Sequence, residues 1–286
     1  MSVLSADAVA SFRENGFYFP IRVMPPEEAL AIGRQVMAFT GSETARRYPD
    51  ANNQIYLLKA HLLFAWADRI AHRPALLDAV EDLLGPDIMV WSSGVFWKAP
   101  RTGNFVSWHQ DSTNYELDDA QGVVRAWVSL GPATLENGTM RFLPGSHRLG
   151  QLRHLDTVQD KGLLSRGETL DLDIDESRTV PVLVDAGEAS FHHLHTAHAS
   201  GPNGADYPRV NYVITYIRPR LRPLGGKDSA VLARGQDRHG HFAHEPRPLA
   251  DFHPDAMRAH REAMRLRNAI TFRNHPKPPA LPPHPV

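Results

Sequence analysis

Trp108-His109-Gln110-Asp111 comes soon after a strand-like run, Val95-Phe96-Trp97-Lys98, and sets an imidazole and a carboxylate two residues apart. Along an extended chain residues i and i+2 share a face, so His109 and Asp111 are expected to reach one bound ion. Two facial ligands need a third, and His198 offers one in His198-Ala199-Ser200-Gly201-Pro202-Asn203. Two histidines and one carboxylate form the facial triad that leaves open positions on a non-haem Fe(II). The pair alone is a weak signal, because 16 histidines in 286 residues make such spacings common. On spacing alone, His192, His193 and His195 are equally good third ligands.

The surroundings add weight. Arg209 follows His198 by eleven residues, at the head of the strand-like run Val210 to Arg218. A guanidinium beside an iron site suits the far carboxylate of a keto-diacid, which its fork binds with two hydrogen bonds. Together with Ala126-Trp127-Val128-Ser129-Leu130, Glu136-Asn137-Gly138-Thr139-Met140 and Pro144-Gly145-Ser146-His147, these segments resemble the phytanoyl-CoA dioxygenase family of Fe(II)/2-oxoglutarate oxygenases, in the family's order, from the first helix to about Arg218.

The resemblance implies a double-stranded β-helix, a jelly-roll or cupin-like core, with Fe(II), 2-oxoglutarate as co-substrate and O2. It implies His109, Asp111 and His198 as metal ligands, selecting His198 among the clustered histidines. It also implies Arg209 as the anchor of the distal carboxylate, with Ser200 and Trp127 beside the co-substrate. Halogenating members carry a small residue where Asp111 stands. Hydroxylation of a C–H bond, with decarboxylation of 2-oxoglutarate to succinate and CO2, is therefore expected. The alternatives are a non-catalytic binding protein of the same fold and a protein using another metal. Loss of any of the four site residues would favour the first, and retained metal without 2-oxoglutarate turnover would favour the second.

Composition is consistent with this reading. A 42% hydrophobic chain of this length can bury one sizeable core. With 31 basic and 32 acidic residues, it lacks the basic bias of nucleic-acid or membrane-surface binders. Zero cysteines exclude thiolate-bound metals, so any metal must sit on histidines and carboxylates. Neither a signal peptide nor a transmembrane run is apparent. A cytoplasmic protein, monomeric or homodimeric, acting on a small-molecule substrate is expected.

Along the chain, Ser5 caps a first helix that Asn15-Gly16 stops. Phe17 to Val23 reads as a strand, with Pro20 marking an edge. Pro25-Pro26-Glu27-Glu28 opens a second helix, with Leu30, Gly33, Val36 and Met37 on one side. A third helix runs from Pro74 to about Leu84, with a Leu76, Leu77, Val80, Leu83, Leu84 stripe. Short β-rich runs follow, from Ile88 to Arg218, which is mainly β with flanking helices. One domain is expected over residues 1–275, divided into a helical preface (1–87), a jelly-roll core (88–220) and a C-terminal extension (221–275). The proline-rich residues 276–286 are expected to be disordered.

Leu155 to Arg178 is long enough to be a lid or substrate loop. Thr113, Asn114 and Tyr115 should face the barrel mouth, and Asn114, Tyr115 and Lys98 are the candidate substrate contacts. Gln54, Tyr56 and Lys59 are placed to close over the site. The His-rich stretch with Arg234, Asp237, His239, His241 and His244 reads as a solvated loop or a second lid. His147 and Asn203 read as structural.

Overall fold

A computed structural model describes residues 3–42, 58–114, 116–156, 161–164 and 168–271. Helix α1 (Ala6–Asn15) begins as expected: the Ser5 side chain accepts from the Ala8 N–H. It ends at Gly16, whose φ of +84° is the left-handed conformation glycine adopts without a Cβ penalty. Strand β1 (Phe17–Arg22) follows, then α2 (Pro26–Thr40). The buried side of α2 is Ala29, Ile32, Gly33 and Val36. Leu30, expected on that side, points outward at 39% exposure. At Gly33 a Cβ would collide with the Leu130 carbonyl oxygen, so the helix lies directly on the chain leaving the sheet. Helix α3 (Ala65–Ala71) has no clear sequence signal, and α4 (Pro74–Leu84) has its expected bounds.

The β region comprises β2 (Ile88–Lys98), β3 (Val106–His109), β4 (Val123–Ser129), β5 (Met140–Phe142), β6 (His154–Asp156), β7 (Glu168–Leu170), β8 (Val180–Pro181), β9 (Glu188–His193), β10 (His198–Ser200), β11 (Arg209–Ile217), β12 (Ser229–Arg234) and β13 (Ala243–His244). Helix α5 (Pro254–Thr271) closes the described chain. A seven-stranded sheet has the order β1-β9-β4-β11-β2-β12-β13, and a four-stranded sheet has the order β3-β10-β5-β8. This is the expected jelly roll.

The expected division at residues 88 and 220 does not follow the sheet. Strand β1 pairs with β9 and β12 pairs with β2, so the large sheet draws on chain from both sides of the predicted core. Strand β1 lies at the sheet's edge, where Pro20 costs no ladder hydrogen bond.

Strand alternation gives the large sheet two working faces. Val124, Ala126 and Val128 of β4, and Val210, Tyr212, Ile214 and Tyr216 of β11, join the helices in one apolar cluster. Trp66 of α3 meets Tyr212 edge-on at 5.4 Å between ring centroids. The opposite face carries Arg125 and Trp127 of β4, His192 of β9, and Arg209 and Val213 of β11, all of which line a cavity between the sheets. Phe17, Trp127, Met140, Phe142, Val182, Val184 and Val213 pack together on that inner side. No helix among the described residues is long and apolar enough to cross a membrane.

Candidate metal and co-substrate site

The small sheet places two imidazoles opposite each other. His198 on β10 pairs in register with His109 at the end of β3, and their ring centroids lie 4.1 Å apart. Asp111 arrives differently from the sequence expectation: β3 ends at His109, and Asp111 opens a 3-10 turn that closes at Asn114. A turn, rather than strand alternation, swings the carboxylate back toward the imidazoles. Asp111 Oδ1 is then 3.7 Å from His109 Nε2, and Oδ2 is 3.7 Å from His198 Nε2. One ligand atom from each of the three residues lies within 4.8 Å of the others, and all three residues are buried.

The backbone selects the tautomer that metal binding needs. His109 Nδ1 is 2.9 Å from the Ser107 carbonyl oxygen, and His198 Nδ1 is 2.9 Å from that of Thr196. A carbonyl can only accept, so each Nδ1 carries the proton and each Nε2 turns its lone pair to the common centre. Burial and the neighbouring His109 hold His198 well below the usual imidazole pKa, which keeps it neutral. Burial alone would push Asp111 up. The Arg125 guanidinium, 2.7 Å from its Oδ1, and the surrounding imidazoles outweigh this and hold it well below the ordinary carboxylate range. Two imidazole nitrogens and a carboxylate fit a divalent iron.

Arg125 belongs to the site without any motif that marks it, and Gln110 stands between the two motif ligands with no sequence signal for its own role. Arg125 lines the cavity and bonds Asp111; its one signal is the strand alternation that also faces Trp127 inward. Gln110 is fully buried and points away from the metal centre. It donates to the Gly150 and His195 carbonyls and accepts from the Leu152 N–H, which ties down the ligand loop. His192 is 1% exposed, lines the cavity, and has Nε2 3.3 Å from Asp111 Oδ2. His193 faces the other way, into a cluster with His147 and His195.

Arg209, Ser200 and Trp127 share the cavity, whose volume is about 170 Å³. The Arg209 guanidinium is buried, with its Cζ 5.8 Å from the Trp127 ring centroid. Nη1 donates to the Gly138 carbonyl, and Nε has no partner among the described residues. Burial pushes its pKa down to about 10, so it remains a cation. Gly138 has φ +68°, and a Cβ there would collide with the Gly201 carbonyl oxygen. Only glycine fits.

Lys98, expected to contact substrate, is 1% exposed and does not line the cavity. It pairs in register with Arg209 and donates to Ser200 Oγ at 2.8 Å and to the Ser200 and Gly201 carbonyls. Burial and the Arg209 charge push its pKa down to about 6. Its place is behind the wall, holding Ser200. Lys59 is likewise buried rather than over the site, paired with Glu245. Thr113 Oγ1 bonds the His154 ring instead of lining the cavity. The Asn114 side chain, Tyr115, Gln54, Tyr56 and residues 276–286 lie outside what the structure describes.

Part of the expected lid forms cavity wall: Leu163 and Leu164 line it, with Leu163 N–H bonded to the Phe105 carbonyl at 2.9 Å. Arg234, Asp237, His239, His241 and His244 do not reach the cavity; Arg234 binds Asp78 and Glu81 instead. Asn203 and His147 both bond to backbone carbonyls. Asn203 binds the Lys98 and Tyr207 carbonyls, and His147 binds that of Arg13.

The family model of phytanoyl-CoA dioxygenase (PhyH) matches residues 12–211, a span that holds the metal cluster and Arg209. The chain belongs to the phytanoyl-CoA dioxygenase family. An ectoine dioxygenase from Bordetella parapertussis is 27% identical over 231 residues, covering 74% of this chain and 75% of that protein. A probable alpha-ketoglutarate-dependent hypophosphite dioxygenase from Stutzerimonas stutzeri is 31% identical over 172 residues, or 58% of each chain. The solved structure of the non-heme monooxygenase ThoJ in its apo form superposes with a TM-score of 0.80 at 41% identity, covering 94% of this chain and all of that one. This PhyH-family protein is an enzyme, an Fe(II)- and 2-oxoglutarate-dependent oxygenase that uses O2.

Proposed function

We propose that the enzyme hydroxylates an unactivated C–H bond of a small molecule while 2-oxoglutarate is decarboxylated to succinate and CO2. The observation that carries this reading is the convergence of His109, Asp111 and His198 in the same cavity as the buried, half-satisfied Arg209. His109, Asp111 and His198 would hold the iron, which supplies the oxidising chemistry when bound. Three protein ligands would leave such an ion open to the co-substrate. The chain's own residues bind, orient and exclude water. Arg209 takes the distal carboxylate of 2-oxoglutarate through its Nε edge. Ser200 Oγ accepts from Lys98 and so presents its O–H to the same carboxylate. Arg125 holds Asp111 ionised and oriented. Phe96, Val106, Met140, Leu163 and Leu164 make the remaining wall apolar and keep it dry. The likeness to a monooxygenase at 41% identity supports insertion of one oxygen atom into the substrate, and the carboxylate at position 111 supports hydroxylation over halogenation.

Anaerobic addition of 2-oxoglutarate to the Fe(II)-loaded protein tests the reading. A weak visible charge-transfer band is expected as the keto acid chelates the metal. Bound iron without that band would refute it.

A further inference from the structure

A third imidazole stands beside the ligand cluster. His192 Nε2 is 3.3 Å from Asp111 Oδ2, nearer than the Nε2 atoms of His109 and His198, each 3.7 Å from that carboxylate. Distance to Asp111 alone would admit it as a ligand. It is nonetheless not one of the three residues whose ligand atoms all lie within 4.8 Å of one another. The other ring nitrogen explains the difference. Nδ1 of His109 and Nδ1 of His198 each meet a backbone carbonyl at 2.9 Å, which fixes the proton there. His192 Nδ1 is buried with no partner among the described residues, so no carbonyl holds a proton on it. A carboxylate can only accept, so the His192 proton sits on Nε2 and points at Asp111. His192 thus offers the centre an N–H where the two ligands offer lone pairs.

We propose that His192 is a positioning residue, which with Arg125 clamps the Asp111 carboxylate in the orientation the metal needs. The inference deepens the reading of His109, Asp111 and His198 as the ligands and rests on it. Asp111 needs such a clamp because it sits on a 3-10 turn, whereas His109 and His198 are held by paired strands. Arg125 and His192 stand opposite each other on β4 and β9. One rung of the large sheet therefore brings two donors to the turn, Arg125 Nη1 to Oδ1 at 2.7 Å and His192 Nε2 to Oδ2 at 3.3 Å. The His192 ring also has phenyl neighbours. Phe142 lies 5.2 Å away between ring centroids, and Phe17 is its cross-strand partner on β1. A phenyl ring at position 192 would avoid the cost of the orphaned Nδ1. The carboxylate it bonds accounts for an imidazole there. Donors on a ligating carboxylate fix its orientation and, with it, the affinity for the metal.

Titration of the full chain with Co(II), followed by its visible ligand-field bands and by competition with a chelating indicator, tests this. His192→Phe and His192→Met remove the N–H, and His192→Gln, which matches methionine in length, restores one. The Phe and Met variants bind Co(II) about tenfold to a hundredfold more weakly, with altered bands, and the Gln variant regains most of the lost affinity. Metal-free melting temperatures of the Met and Gln variants stay together, so the difference between them reports the N–H and not packing. In an Asp111→Ala background His192→Phe causes no further loss, because the residue acts through Asp111. Binding within about threefold of wild type in both donorless variants, equal loss in the Met and Gln variants, or a further loss in the absence of Asp111 overturns the assignment. Failure of the wild type to bind Co(II), or wild-type affinity in Asp111→Ala alone, overturns the ligand set and the assignment with it.

Discussion

Replacing Arg209 with alanine removes the cation against which the distal carboxylate of 2-oxoglutarate would rest. The site is 3% exposed, and the cavity wall includes the Trp127 ring, Val213 and Met140, none of which can stabilise a carboxylate. The adjacent cation, Lys98, is held by Ser200 and Gly201 and pushed toward neutrality by burial. Breaking a buried ion pair by removing one partner costs about 3–5 kcal/mol, because the remaining charge stays desolvated. At about 1.4 kcal/mol per factor of ten, that weakens 2-oxoglutarate binding by about two to four orders of magnitude. Anaerobic titration of the Fe(II) protein, followed by the chelate absorption, reads the dissociation constant directly. Arg209→Lys should fall between wild type and alanine, since it restores charge without the two-pronged geometry. The Gly138 carbonyl loses its Arg209 donor in the alanine variant, so thermal unfolding is measured alongside. An alanine variant that is folded and binds 2-oxoglutarate within about threefold of wild type, under about 1 kcal/mol, would refute the anchor role.

Asp111→Ala and His198→Ala should each abolish oxygen-dependent succinate formation, and normal turnover in either would remove that residue from the ligand set. Arg125→Met should weaken Fe(II) binding by about tenfold to a hundredfold, as loss of a group orienting a metal ligand typically does, read by competition with a chelating indicator; unchanged affinity would make Arg125 a packing residue. Glu245→Gln should destabilise the fold by about 3–5 kcal/mol by leaving Lys59 buried without its carboxylate, and a denaturant midpoint matching wild type would contradict this. Burial, the leading cause for both histidines, pushes His193 down to about 3 and His260 down to about 4 from 6.5. In the unfolded chain each takes up a proton near pH 6.5, so below that pH the unfolded state binds more protons. Stability should therefore fall as pH drops from about 6.5, the His260 share levelling off below about 4 and the His193 share below about 3. Burial would raise Glu245, but Lys59 and His61 hold it down at about 2, which adds a loss in the same direction between about 4.5 and 2. A melting temperature that is flat from about pH 7 to about pH 4 would contradict the histidine part.

The sequence carried the elements whose signals are local. Ser5 and Gly16 bound α1, the leucine stripe marked α4, and Pro20 marked β1 as an edge strand. His109, Asp111, His198 and Arg209 were legible because short motifs kept them in recognisable surroundings, and the fold brings them to one cavity. The route to that geometry was not legible. Strand periodicity offered a reason for His109 and Asp111 to share a face, whereas a 3-10 turn performs the task. Leu30 and Lys98 show the limit of one-dimensional patterns. A helix or strand phase says which side a residue takes, and only the neighbouring layer says whether that side meets solvent, core or cavity.

What the sequence determined by itself was therefore the set of groups able to bind a metal and a keto acid, and the caps and turns that delimit the elements. These depend on residue type and on neighbours a few positions away. The tertiary structure alone decided that Arg125 braces Asp111, that Lys98 stands behind Ser200, and that Arg267 arrives at the cavity from the far end of the chain. Those contacts join residues separated by 14 positions in the first case and by 102 in the second. Packing two sheets and a helix around one cavity creates them, and no local pattern encodes that proximity.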